Sequence, residues 1–270
     1  RPQRLYSVDT SGRLYRSTDG ALNWNPTGYV LPPTEGAWRL ADKPGAGTEG
    51  VFILATQNGG NPLAAPGLLR TVDDGATMVR MGGGLPNTGF IAVAFDPSDG
   101  NRVLAGTDYR FDLAPADPSI PALWRSTDGG FTQRVEAIAW GAGSTAYAVV
   151  DCSLLRSADD GATWTFVSFN CFSTLAAHPA IANTVYAGGN SGLQVSTDGG
   201  ATFAPSPTTL TPNPTYTDTL GRPIPAYVRR VVLDPTFPAA GAPVWAVTEG
   251  GGLFRSLDGA VTFSNSGVND

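Results

Sequence analysis

The sequence predicts an all-β protein, a single six-bladed β-propeller of four-stranded antiparallel blades spanning residues 1–270, and three observations predict it. The composition disfavours helices. Its 34 glycines and 22 prolines are about a fifth of the 270 residues, and only 15% of residues are charged. Among those, 19 aspartates stand against 4 glutamates, and 16 arginines against the single Lys43. Glu and Lys cover helix surfaces, whereas Asp favours turns because its short carboxylate bonds its own backbone. The second observation is an eight-residue phrase that recurs six times. The third is a series of short apolar strands at even spacing, with Gly/Asp turns between them, as in an all-β array.

The phrase runs Ser17–Trp24, Thr71–Met78, Ser126–Gln133, Ser157–Trp164, Ser196–Phe203 and Ser256–Phe263, with the pattern S/T-x-D-x-G-x-T-W/F. On these residues, and over nearly its whole length, the chain resembles the Asp-box (bacterial neuraminidase repeat) family, which includes sialidase-like and sortilin-like β-propellers. Ala21 and Ala260 depart from the pattern at the glycine position, Asn23 at the threonine, and Met78 and Gln133 at the aromatic. Looser turns are expected there.

The flanking text repeats too. A short strand precedes each box: Gly12–Arg16, Leu68–Arg70, Leu123–Arg125, Leu154–Arg156, Leu193–Val195 and Leu253–Arg255. Before it comes another, at Leu5–Val8, Val51–Ala55, Val103–Gly106, Ala146–Val150, Val185–Gly188 and Val244–Val247. Earlier still lie Ala37–Ala41, Phe90–Phe95, Val135–Trp140, Phe172–Ala176 and Val228–Leu233, two of them closed by Asp96-Pro97 and Asp234-Pro235. A fourth, outermost strand follows each box. Four strands in about 45 residues is the size of a propeller blade. With strands lettered A to D outward, the chain starts at strand B. The C-terminal segment at Asn265 aligns with Asn87–Ala92, so residues 267–270 are expected to supply the missing A strand beside Leu5–Val8. A seven-bladed ring, or a chain that continues, is the alternative.

Several function classes are excluded. The net charge of −6 leaves no basic footprint for nucleic acid. Apolar runs such as Phe90–Phe95 fall far short of the roughly 20 residues that span a bilayer. The one histidine, His178, cannot make a zinc cluster, and no metal or cofactor is expected. The chain opens on Arg1-Pro2-Gln3 with no signal peptide, as expected of a mature or trimmed form.

The repeated aspartates Asp19, Asp73, Asp128, Asp159, Asp198 and Asp258 are read as structural. Each can accept backbone N–H bonds and fix the C–D turn, and the glycine permits positive φ. In Asp-box proteins these turns lie opposite the active site. Asp96-Pro97 and Asp234-Pro235 are read the same way, and the arginines before the boxes are expected to cover apolar surface and pair with acids.

Function is expected on the other face, where B–C and D–A connections meet. The long irregular segments, Asn25–Gly36, Thr56–Gly67, Thr107–Ala122 and Ala204–Ala226, all fall there. Long loops in a compact domain are usually functional or disordered. They carry Tyr29, Glu35 and Trp38; then Asp108, Tyr109, Arg110, Phe111 and Asp112, with Asp117; then Tyr216, Asp218, Arg222 and Tyr227. Aromatic planes beside carboxylates and arginine suit sugar or peptide recognition. The alternative is that the aromatics only anchor the loops. Cys152, in a B–C connection, and Cys171, in the following D–A connection, share that face, so a disulfide is expected, with two buried free thiols as the alternative. A bridge implies an oxidising compartment.

The resemblance implies either an enzyme or a binding propeller. Sialidases carry an Arg-Ile-Pro motif before the first box, an arginine triad and a Tyr–Glu nucleophile pair. Only 16 residues precede the first box here, without that motif, and Gly221–Pro225 is a scrambled likeness in the wrong place. Xyloglucan-type enzymes use two propellers. The reading is therefore a non-catalytic, extracellular, cell-surface or periplasmic module for a carbohydrate or protein partner, with no nucleic acid and no membrane span. The alternative is a sialidase-like or xyloglucanase-like glycoside hydrolase, for which Asp108, Asp112 and Asp218 would have to supply two carboxylates ~5–9.5 Å apart.

Overall fold

A computed structural model describes residues 4–19, 22–43, 47–58, 67–81, 89–97, 99–100, 102–107, 111–112, 134–206, 210, 227–234, 243–249 and 252–265. Among them there is no helix, and hence none long and apolar enough to cross a membrane. The chain divides into two compact units, residues 1–135 and 136–270. In the first unit, β1 (Leu5–Val8), β2 (Arg13–Ser17) and β3 (Asn25–Val30) form one sheet. A second holds β4 (Glu35–Asp42), β5 (Phe52–Asn58), β6 (Leu68–Thr71) and β7 (Val79–Arg80), and a third β8 (Phe90–Phe95), β9 (Val103–Thr107) and β10 (Phe111–Asp112).

The second unit holds three four-stranded sheets. These are β11 (Val135–Trp140), β12 (Ala146–Val150), β13 (Ser153–Ser157) and β14 (Thr165–Phe169); β15 (Phe172–Ala177), β16 (Val185–Gly189), β17 (Gly192–Ser196) and β18 (Ala204–Pro205); and β19 (Tyr227–Leu233), β20 (Val244–Glu249), β21 (Gly252–Ser256) and β22 (Ser264–Asn265). Neighbours within a sheet follow sequence order, so every connection is a hairpin.

This corrects the six-bladed expectation. Five sheets are led by an A strand, at β4, β8, β11, β15 and β19, so the structure has five blades. Among the described residues the N-terminal sheet has three strands and no A strand, and the residues expected to supply one, 267–270, lie outside them. The box phrase counts C–D turns, and a C–D turn does not guarantee an A strand. A second correction concerns Asn25–Gly36, expected as a loop. Most of it is strand, β3 through Val30 and β4 from Glu35, leaving a short link. Likewise Phe111–Asp112, expected within a loop, pairs with Gly106 and Ala105.

Burial follows strand rank. Strands β9, β12 and β16 are buried at every residue, whereas the two-residue D strands β7, β18 and β22 are exposed. A strand covered on both faces reads as a continuous apolar run such as Ala146-Tyr-Ala-Val-Val150. Within the first unit Ile53, Leu68 and Met81 pack on Phe90, Val93 and Val103. Within the second, Tyr147, Val149 and Leu154 meet Phe172, Leu175 and Val185. Burying each such side chain stabilises by ~1.5–3 kcal/mol. In the second unit the sheets approach so closely that a Cβ at Gly188 would lie 2.5 Å from Val228 Cγ1.

The box turns share one geometry. Asp159 accepts the Thr163 amide (2.8 Å), the Thr163 hydroxyl (2.6 Å) and the Ser157 hydroxyl (2.8 Å), while Ser157 Oγ accepts the Gly161 amide at 2.8 Å. Asp73, Asp198 and Asp258 repeat this, and at Asp19 the Asn23 side-chain amide stands in for the threonine hydroxyl at 2.7 Å. Those bonds hold the carboxyls of Asp198 and Asp258 down to about 2, the threonine hydroxyl contributing most, and that of Asp19 likewise through Asn23. The looser turns expected at Asn23, Met78 and Ala260 do not appear among the described residues, and Ala21 and Gln133 lie outside them. Ala260 itself takes φ 72°, left-handed, and is buried. Asp128 lies outside the described residues.

Three of the described boxes also dock on the A–B turn of their own blade. Asp74 N donates to Gly50 O (3.1 Å), Asp160 N to Ser144 O (2.9 Å) and Gly199 N to Asn183 O (2.8 Å). Arg16, before the first box, pairs with Asp74 of the next sheet at 3.0 Å, and Arg255 lies over Trp245. His178 belongs to this scaffold. It is buried, and its Nδ1 accepts the amides of Ala180 (3.1 Å) and Ile181 (2.8 Å), as Asp96 Oδ1 accepts that of Asp99.

Candidate functional site

In the first unit, the end of the second sheet where β4 begins and β5 ends gathers polar groups at the expected loop face. Glu35 opens β4 opposite Asn58, and Arg80 lies on β7 opposite Leu69. The Glu35 side chain is only 3% exposed, yet its carboxylate is fully engaged. Arg80 Nη2 donates to Oε1 at 2.5 Å, and the Thr56 hydroxyl to Oε2 at 2.9 Å. Thr56 is fixed in turn by the Gly67 amide at 2.9 Å. A carboxylate held by an arginine and a hydroxyl is fixed in place and can orient its neighbours.

Tyr29, on β3, is half-buried against Leu31, Leu54 and Leu69. Burial pushes its phenol pKa up, the Glu35 charge pushes it further, and Arg80 partly opposes. Trp38 lies three residues along β4 from Glu35, and its exposure has a specific cause. Ala37 pairs with Thr56 and Arg39 with Ala55, so Trp38 is the extra residue of a β-bulge. A bulge bends its strand and re-aims the bulged side chain, and Trp38 is left half-exposed.

The same bulge recurs near the start of the A strands β8, β15 and β19, with Ile91, Ser173 and Arg229 as the skipped residues. Ile91 is buried, and Ser173 Oγ is tied to the Val228 carbonyl at 3.1 Å. Trp38 and Arg229 are the exposed members of the set.

Of the other expected contact residues, Asp112 lies on β10. Asp108, Tyr109, Arg110, Tyr216, Asp218 and Arg222 lie outside the described residues. Arg80 and Thr56 went unnoticed in the sequence because only strand register brings them to Glu35.

In the second unit, Cys152 and Cys171 form a disulfide. Cys152 occupies the two-residue hairpin between β12 and β13, where Asp151 and Cys152 both take positive φ, and Cys171 the link from β14 to β15. Among the described residues no group of three or more His, Cys, Asp or Glu side chains could hold a metal ion.

No protein-family model matches the chain, and no curated protein matches it by sequence. Solved structures do match. One is YCF48 from Cyanidioschyzon merolae, with 15% identity over 98% of this chain and 81% of that one, and a TM-score of 0.57. Another is the extracellular domain of a B. thetaiotaomicron protein assigned as a hybrid two-component system, with 12% identity over 94% of this chain and 31% of that one, and a TM-score of 0.60. At such identities the likeness is one of fold: the chain has an all-β, β-propeller fold.

Proposed function

We propose that this chain is a non-catalytic, exported propeller of the Asp-box type that binds a carbohydrate or protein partner through its loop face. The observation that carries the reading is Trp38, set half-exposed by a bulge on β4, the strand that Glu35 of the Glu35–Arg80 pair opens. An exposed indole offers a stacking plane at low entropic cost, and a fixed polar pair on the same sheet adds orientation. Asp108, Tyr109, Arg110 and Asp112, and in the second unit Tyr216, Asp218 and Arg222, are proposed as further contact residues, and the six box aspartates as scaffold residues. The disulfide supports export, because such bridges persist in oxidising compartments.

A glycan array run beside a glycosidase substrate panel tests this. Binding without turnover, weakened about tenfold or more by Trp38→Ala or Tyr109→Ala with the fold intact, is the expected result. Steady hydrolysis abolished by Asp108→Asn or Asp112→Asn establishes a glycoside hydrolase instead. Interactions unchanged in both aromatic variants place the site elsewhere.

A further inference from the structure

The bulge on β19 creates a second polar group at the loop face, in the unit that does not hold Trp38. Val228 pairs with Thr248 and Arg230 with Val247, so Arg229 is skipped. Its guanidinium lies over the Tyr227 ring, 4.3 Å from the centroid, and pairs with Glu249, the residue opposite Tyr227. Unlike Glu35, both partners are open: the side chains of Arg229 and Glu249 are 56% and 52% exposed. A solvated pair of this kind adds little to stability, typically ~0–1 kcal/mol, so the fold has little use for it.

We infer that Tyr227, Arg229 and Glu249 form a ligand subsite for the edge of a neutral saccharide, the vicinal diol of an uncharged sugar ring. The argument is one of charge and of donor–acceptor order. Stacking on Tyr227 fixes the guanidinium plane, and its unused N–H groups then stand beside the unused lone pairs of Glu249. Adjacent donors and acceptors match a diol, whose two hydroxyls each donate and accept. An anionic ligand meets Glu249 and a cationic one meets Arg229, so the pair discriminates against both. This rests on the binding reading above and narrows it to one chemical class.

The test uses the whole chain and 15N-detected arginine side-chain NMR, with cellohexaose, xylohexaose, maltohexaose and mannohexaose as neutral probes, hexagalacturonate as the anionic probe and chitosan hexamer as the cationic one. At least one neutral hexasaccharide should shift the Arg229 Nε–H resonance. Glu249→Gln and Arg229→Ala, each folded by thermal melt, should weaken that saccharide at least fivefold. Stronger binding of either charged probe at Arg229, or no shift with any neutral one, overturns the inference. Affinity lost in Trp38→Ala but unchanged in Arg229→Ala also overturns it, while leaving the broader binding function intact. Loss confined to the Arg229 and Glu249 variants supports the subsite and removes Trp38 from the binding face.

Discussion

Replacing Arg80 by methionine keeps the aliphatic stem and deletes the guanidinium that faces Glu35. The carboxylate left behind belongs to a side chain 3% exposed, with the Thr56 hydroxyl as its remaining donor of the pair described above. Breaking a fully buried ion pair from one side costs ~3–5 kcal/mol, because a desolvated charge is stranded. Arg80 itself is 38% exposed, so water reaches the vacated side. The expected loss is therefore nearer ~2–3 kcal/mol. Glu35→Gln keeps an acceptor toward Arg80 and strands no anion, so it should cost only about 1 kcal/mol. The double variant should lose less than the two singles together, with a coupling of ~1–2 kcal/mol. Urea unfolding of the four proteins closes this cycle. A spectrophotometric titration of Tyr29 adds an independent readout: its pKa, raised by burial and by Glu35 and partly restrained by Arg80, should climb further in Arg80→Met. If Arg80→Met unfolds within ~0.5 kcal/mol of the parent and the Tyr29 titration does not move, the pair is an ordinary solvated bridge. Glu35 would then not be a fixed, oriented group on the strand that carries Trp38.

Asp159→Ala removes three acceptor contacts at the edge of the molecule, and water replaces part of them, so a loss of ~1–2 kcal/mol with undiminished ligand affinity is expected; lost binding at unchanged melting temperature contradicts the scaffold role. Burial lowers the pKa of His178 below its ordinary value of 6.5, so the native state holds it neutral while the unfolded chain takes up a proton first. Its contribution is therefore present above the ordinary value and fades as pH falls through the native one, and His178→Asp, copying Asp96, should flatten that part of the stability–pH curve; an unchanged curve in urea midpoints from pH 7.5 to 5 argues against the turn-cap role. The disulfide links residues 19 apart, for which chain entropy gives about 3 kcal/mol, so a Cys152→Ser/Cys171→Ser variant should unfold at clearly lower urea, and alkylatable thiols in natively produced protein would contradict the bridge.

What the sequence discloses depends on how far apart the interacting groups lie. The box turns are legible because every bond of Asp159 is made inside Ser157–Thr163. Strands B and C are legible because burial on both faces demands continuous apolar runs. Strand β3 carries Pro26 and Gly28, and it tolerates them as an edge strand, where a missing N–H leaves no ladder bond unmade. The blade count went astray for a related reason, since six box turns require six C–D hairpins and say nothing of A strands. The role of His178 is legible only in the fold, where its Nδ1 occupies the acceptor position that Asp96 fills elsewhere.

The site itself was legible as a face and illegible as a geometry. Tyr29 and Trp38 stand out as aromatics near a carboxylate, yet no local pattern says that Ala37 and Arg39 pair while Trp38 is skipped. Register is fixed by the whole sheet, and a slip of one residue sends a side chain to the other face. That is why the bulge matters for function. In β4 and β19 it releases Trp38 and Arg229 from the alternation that buries Leu54 and Val231 nearby, and so leaves two exposed side chains, those of the proposed site and subsite, on strands whose other residues hold the core. A chain could change its ligand by changing only the skipped residue, because that residue makes no ladder pair and its replacement leaves the register untouched.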